Sequence, residues 1–177
     1  MTQTIKTLAL TALGLMAALP ALASEASDVA RETKLPVAVV ESTIANVDAF
    51  FASPAAPSNR MTSGILKEIT LKAIRNRMGN LEDSVPGKAS DNSAEEKNAV
   101  YKAQVRTTRH ETTETRECVD NKVTLTGSEA VPVIKDGSFI FDTAHPRVTT
   151  TSWDVTFCRL PAAGGGFSDW APAATAR

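Results

Sequence analysis

The sequence has few of the residues that build metal and nucleophile sites. Its 177 residues include two cysteines, two histidines and nine aromatic side chains, namely six Phe, two Trp and one Tyr. Two cysteines cannot supply a four-thiolate zinc site or an iron–sulfur cluster. No Asn-x-Ser/Thr sequon occurs, so we expect no N-linked glycan. The net charge of −1 provides no general attraction for polyanions, so we expect no nucleic-acid partner.

The first 23 residues predict a cleavable signal peptide. Lys6 precedes an apolar run at 8–19, Pro20 ends that run, and small residues lead up to a cleavage position between Ala23 and Ser24. A membrane-spanning helix needs about 20 apolar residues, and this run is shorter. The leader contains no cysteine, which excludes lipoprotein processing. We therefore expect a periplasmic or secreted protein with no integral membrane segment after cleavage.

Residues 24–81 form a predicted helical segment. The polar residues 24–34 predict a loosely held terminus, and Pro36 then suits the first turn of a helix. Helical spacing places four apolar residues on one face of the first helix: Val40, Ile44, Val47 and Phe51. The second helix has its own apolar series: Ile65, Leu66, Ile69, Ala73, Ile74, Met78 and Leu81.

The composition changes after these helices. Residues 82–97 are polar, contain Pro, Gly, Ser and Asn, and predict a flexible linker. Residues 98–170 are rich in Thr, Val and aromatic residues, which favour strands. The Ala/Pro tail 171–177 predicts disorder. Two helices followed by about five or six antiparallel strands indicate an α+β domain.

Two dipeptides predict hairpin turns within the β segment. The first is Asp120-Asn121, and the second and stronger one is Asp136-Gly137. The second turn places Ile134 opposite Phe139 on one face and Val133 opposite Ile140 on the other. Both faces of this hairpin then carry apolar side chains, so we expect it to be covered on both sides, although Pro132 indicates an edge strand.

Cys118 and Cys158 predict a structural disulfide. In an oxidising compartment a lone pair of cysteines usually bonds to itself. Redox-active pairs are typically separated by only two residues, and these are far apart in the sequence.

His110 and His145 are the candidate catalytic residues. With nearby carboxylates either could serve a small exported hydrolase. The stretch from His110 to Glu114 begins like a zinc-protease signature but has Glu114 where the second metal-binding His is required. His145 precedes Pro146, which favours an extended loop conformation. We expect no metal and no cofactor.

Four cations on the second predicted helix are candidate binding residues: Lys67, Lys72, Arg75 and Arg77. A basic amphipathic helix can rest on anionic lipid or an acidic partner. The alternative is the solvated face of a helix packed on a sheet.

These observations leave three hypotheses for function. We expect a non-enzymatic binding or structural component of the envelope, with a protein or glycan partner. The sequence does not determine the oligomeric state. The alternatives are a small hydrolase that uses His110 or His145, and a peripheral membrane protein that attaches through residues 63–79.

Overall fold

The computed structural model describes residues 18–53 and 63–173, with side chains from residue 25 onward. Its described helices are α1 (Ala18–Thr33), α2 (Val37–Ala52) and α3 (Ser63–Met78). Five strands follow: β1 (Ala89–Glu96), β2 (Ala99–Thr112), β3 (Glu117–Lys135), β4 (Ser138–Arg159) and β5 (Ala171–Pro172). The predicted α+β order is confirmed, with three helices in place of the expected two.

Helix α1 corrects the prediction of a loosely held terminus. Ala26 and Ala30 lie one turn apart on its buried face and join the core. Alanine is the strongest helix former, and its small side chain permits close packing, but it gives a weak periodic signal in a sequence. Lys34 ends the helix with a positive φ of 57°. Because α1 is described from Ala18, it includes the end of the predicted leader, whose residues 1–17 lie outside the described part.

Helices α2 and α3 form largely as their apolar spacing predicts. The expected positions Val40, Ile44 and Val47 are buried in α2. Phe50, rather than Phe51, completes that buried face, and the two rings meet edge to face with centroids 5.9 Å apart. In α3 the predicted core residues Leu66, Ile69, Ala73 and Ile74 are buried, whereas Ile65 is exposed.

The five strands form one antiparallel sheet in the order β1-β2-β3-β4-β5. Strands pair with their neighbours in the sequence, so the sheet needs no crossover connection. Its inner face packs against the helices and carries Tyr101, Val123, Leu125 and Phe157 in the core. The outer face of β3 and β4 is dominated by polar side chains: Asp120, Lys122, Thr124, Thr126, Ser128, Thr150, Ser152, Asp154 and Thr156.

The predicted linker is wrong over Ala89–Glu96, which form β1. This strand is polar because it lies at an edge and exposes alternate residues. Its backbone pairs with β2 along its whole length. The half-buried Asn92 also donates a hydrogen bond from Nδ2 to the carbonyl oxygen of Ile69, at 3.4 Å. Residues of β1 therefore form a strand because β2 provides a pairing partner, although their intrinsic strand propensity is weak.

Of the two predicted hairpin turns, only Asp136-Gly137 exists. These residues have φ values of 53° and 74°, and Ile134 pairs with Phe139 as expected. At the other position β3 continues straight through Asn121. The Asn121 side chain is buried, and its Oδ1 accepts a hydrogen bond from Thr107 Oγ1 at 2.9 Å.

The C-terminal tail adds the last strand to the sheet, and a disulfide links β3 to β4. The prediction of disorder is wrong at Ala171–Pro172, which pair with Cys158 and Phe157 as β5; residues 174–177 lie outside the described part. The predicted disulfide is confirmed. Cys118 and Cys158 are direct cross-strand partners, with Cα atoms 4.1 Å apart.

Candidate functional site

His110 lies near the end of β2, where both of its ring nitrogens face acceptors. Nδ1 is 2.6 Å from the carbonyl oxygen of Ser84, and Nε2 is 2.7 Å from Oε1 of Glu117. A neutral imidazole has only one N–H, so both contacts are donated hydrogen bonds only when the ring carries two protons. Both ring nitrogens are therefore in contact with protein oxygens in this arrangement.

Glu117 is the centre of this network. Its carboxylate is almost completely buried and also accepts a hydrogen bond from Arg159 Nε at 2.7 Å. Burial alone would raise the pKa of this carboxyl. The hydrogen bonds from Arg159 and His110, together with their charges, outweigh burial, so the pKa of Glu117 falls below its usual 4.5.

Arg159 connects Glu117 to the C-terminal loop. Its guanidinium carbon lies 4.7 Å from the ring centroid of Phe167 and 4.6 Å from that of Trp170. Its Nη1 also donates to Glu82 at 3.0 Å. The hydrogen bond to Glu117 is the main cause that raises the pKa of Arg159. Aromatic contacts and a buried carboxylate thus fix this cation in one position.

Arg77 holds the loop that supplies the Ser84 carbonyl. It is 2% exposed, and its Nη2 donates to the Asn80 carbonyl oxygen at 2.7 Å and to Ser84 Oγ at 2.6 Å. Burial lowers the pKa of Arg77, and the charge of Asp83 opposes that effect. Arg77 and His110 therefore both contact Ser84 in the loop after α3.

His145 is in a different place and has a different role. Its side chain is 86% exposed, and its Nδ1 lies 3.0 Å from Oδ2 of Asp142. The other carboxylate oxygen of Asp142 accepts the backbone N–H groups of Ala144 and His145. The hydrogen bond from His145 is the main cause that lowers the pKa of Asp142. This is the geometry of a capped turn.

The structure does not bring the candidate catalytic residues together. The two histidines belong to separate networks, in which their rings contact the Ser84 carbonyl oxygen and the carboxylates of Glu117 and Asp142. The described part of the chain also contains no group of three or more His, Cys, Asp or Glu side chains that could hold a metal. The polar contacts in these two networks hold loops in place.

The four candidate cations of α3 lie in three different environments. Lys67 forms an ion pair with Asp48 at 3.0 Å, and Arg77 is buried. Lys72 and Arg75 are exposed beside a cleft of about 680 Å³ between the three helices. Glu25, Glu32 and Glu68 line the same cleft, so cations and carboxylates share its rim. These cations do not form one continuous basic face.

No protein family, curated protein or solved structure matches the chain.

Among the described helices, one bent pair meets the length and composition requirement for a membrane span. No single helix among the described residues is long and apolar enough to cross a membrane. Glu25–Thr33 and Val37–Ala52 meet the requirement together by length and composition, with a 115° bend between them.

Of the twelve exposed large apolar side chains in the described part of the chain, five lie in the hairpin of residues 131–142, here called the arm. The prediction that both of its faces are covered is wrong for the described residues. Phe139 is 79% exposed and Ile134 is 69% exposed. Cross-strand pairing places Pro132, Ile134, Phe139 and Phe141 on one face, and Val131, Val133 and Ile140 on the other.

An irregularity in the pairing separates the arm from the rest of the sheet. Glu129 pairs with Arg147, and the next aligned pair is Val131 with Asp142. Four residues of β4 therefore loop out against one of β3. The Asp142 turn described above lies in this loop, so His145 is part of the base of the arm.

The sequence predicts the hairpin that forms the arm, but it does not show that the apolar side chains of this hairpin are exposed. Alternating apolar residues around Asp136-Gly137 correctly predict a hairpin and its register. Apolar side chains on both faces are equally typical of a covered hairpin and of a projecting one. Only the lengths of the neighbouring strands distinguish the two, because β2 begins at Ala99, opposite Glu129, and does not reach the arm.

Proposed function

We propose that the protein is an exported, non-enzymatic binding protein whose arm docks into an apolar groove of a protein partner. The observation that carries this proposal is the exposure of five large apolar side chains on one hairpin: Val131, Ile134, Phe139, Ile140 and Phe141. Soluble proteins rarely expose contiguous apolar patches of this kind unless the patch binds something. Aromatic side chains are also enriched at the centres of protein interfaces.

The chemistry of the arm favours a protein partner over a lipid. The tip of the hairpin is Lys135-Asp136-Gly137-Ser138, which is polar and carries both charges. Insertion into a membrane tip first would bury these charges at a large cost. The apolar side chains lie along the sides of the hairpin instead, as a groove in a protein would require.

A glycan partner fits the arm less well. Sugar hydroxyls need hydrogen-bonding side chains, and an unmatched polar group costs about 1–3 kcal/mol when it is buried. On the two faces of the arm the exposed large side chains are Ile, Val and Phe. A partner groove lined with aliphatic and aromatic residues is the better chemical complement.

Capture from envelope and culture fractions of the host tests this proposal. The double variant Ile134→Ser/Phe139→Ser should lose a specifically captured protein that the wild type retains. Val85→Ser/Leu160→Ser is the matched control, because these residues are 60% and 59% exposed and lie outside the arm. Equal capture by wild type and the arm variant would reject the arm as the binding surface.

Export is tested separately by the intact mass of the protein from the same fractions. The predicted leader gives a chain that begins at Ser24. A chain that keeps residues 1–23 in the envelope fraction would contradict cleavage.

A further inference from the structure

We propose that β4 has a second binding surface, its open backbone edge at Val148–Ser152, and that this edge pairs with the same edge of a second copy of the chain. This inference concerns the main chain of β4 and is independent of the arm. The occupant would form a two-fold symmetric dimer with one continuous sheet across both copies.

The direction of the free backbone groups follows from β5. The backbone N–H of Ala173 donates to the carbonyl oxygen of Thr156 on the outer side of β4, at 2.8 Å. In an antiparallel strand, outward-pointing groups recur every second residue. The N–H and C=O groups of Val148, Thr150 and Ser152 therefore point away from β3, and no strand in the described part of the chain pairs with them.

This edge lacks the protection that sheet edges normally have. Charged residues, bulges and prolines usually block pairing with another chain. The opposite edge of the sheet, β1, carries Asp91, Glu95 and Glu96. Residues 148–153, Val-Thr-Thr-Thr-Ser-Trp, contain no charge and no proline and have high strand propensity.

The length of the open segment favours the same segment of a second copy of the chain as its pairing partner. Pro146 and the loop at the base of the arm close it at one end, and β5 closes it at the other. An antiparallel second copy centred on Thr150 fits between these limits. It uses the same residues from both chains, whereas an unrelated strand would have to match this length and neutrality by chance.

The side chains are compatible with this register. Thr150 faces Thr150 of the second copy, and Val148 faces Ser152. On the inner face Thr149 faces Thr151, and cross-strand threonine pairs are favourable. Arg147 faces Trp153, which places no like charges opposite each other. The three outward-pointing residues of each chain would exchange about six main-chain hydrogen bonds, at the low end for a specific interface.

Sedimentation equilibrium of the purified, oxidised protein tests the dimer. We expect a concentration-dependent shift from monomer to dimer at or below about 1 mM chain, the limit of weak affinity. Thr150→Pro removes one outward N–H without breaking a bond to β3, so it should raise the dissociation constant at least about tenfold while the fold is kept. Thr150→Val keeps the N–H and the branched shape, and should dimerise like the wild type.

A cysteine variant tests the register even if the proline variant fails to fold. Paired residues that exchange hydrogen bonds have Cα atoms about 5.5 Å apart, which suits a disulfide. Thr150→Cys should therefore form a covalent dimer on mild oxidation. Thr126→Cys, one strand inward on the same face, should not.

The outcomes of these two experiments are separable from those for the arm. A wild type that stays monomeric, or a dimer that survives Thr150→Pro, overturns the proposal. So does a dimer that is lost in Ile134→Ser/Phe139→Ser and kept in Thr150→Pro, because the arm would then be the contact. Loss of partner capture with an intact dimer rejects nothing about the edge.

Discussion

Nε2 of His110 and Oε1 of Glu117 lie 2.7 Å apart at the end of the sheet where the chain enters and leaves. His110 thereby links the loop after α3 to Glu117 on β3, and Arg159 links Glu117 to the C-terminal loop. Three separate segments of the chain thus depend on one buried carboxylate. His110, which the sequence indicates as a candidate catalytic residue, therefore has a structural role.

Replacing Glu117 should destabilise the protein strongly. Glu117→Ala leaves Arg159 and His110 without their buried acceptor, and breaking a buried charge pair costs about 3–5 kcal/mol. Chemical denaturation at neutral pH measures the change in the free energy of unfolding. Glu111→Ala is the control, since Glu111 pairs with the exposed Arg109 and should contribute less than about 1 kcal/mol.

The same carboxylate should make stability depend on acid. The pKa of Glu117 is lowered in the folded state, so its contribution is complete above the unfolded value of 4.5 and is lost as the pH falls through the folded pKa. The free-energy difference between wild type and Glu117→Gln should therefore shrink from pH 7 to pH 3. Asp91 and Asp142 also have lowered pKa values, and the difference cancels them. A difference that does not change with pH would contradict this assignment.

Local signals in the sequence predict those parts of the fold that local chemistry decides. The apolar faces of α2 and α3 follow helical spacing. The turn at Gly137 is predictable because it requires a positive φ, which glycine readily adopts. The disulfide follows from the count of two cysteines, which allows one pairing within the chain.

The remaining features depend on contacts between distant residues. Asn121 has turn chemistry, yet it lies inside β3 because Thr107 satisfies its buried amide. The polar residues of β1 become a strand because β2 offers a partner. The network around Glu117 joins residues up to 77 positions apart, and no spacing in the sequence marks it.

The turn at the tip of the arm should depend on glycine. Gly137 has φ 74°, and a residue with a Cβ pays about 1–2 kcal/mol in the left-handed region. Gly137→Ala should therefore lower the free energy of unfolding by about 1 kcal/mol, measured by urea denaturation. Gly64→Ala is the opposite case. Gly64 lies in α3, where an added Cβ meets nothing within 4 Å, and alanine there should stabilise by up to about 1 kcal/mol. Equal effects at both positions would argue against the turn geometry.

Removing the disulfide should destabilise the whole domain and leave the arm able to bind. Cys118 and Cys158 close a loop with a sequence separation of 40, and the chain-entropy relation gives about 4 kcal/mol for that length. The double variant Cys118→Ser/Cys158→Ser should show this loss in urea denaturation, and reduction of the wild type should reproduce it. The bond ties β3 to β4 at the end of the sheet away from the arm. Under conditions in which the double variant is folded, it should therefore capture the same partner as the wild type. Loss of capture from folded protein would show that the disulfide has a role in binding beyond stability.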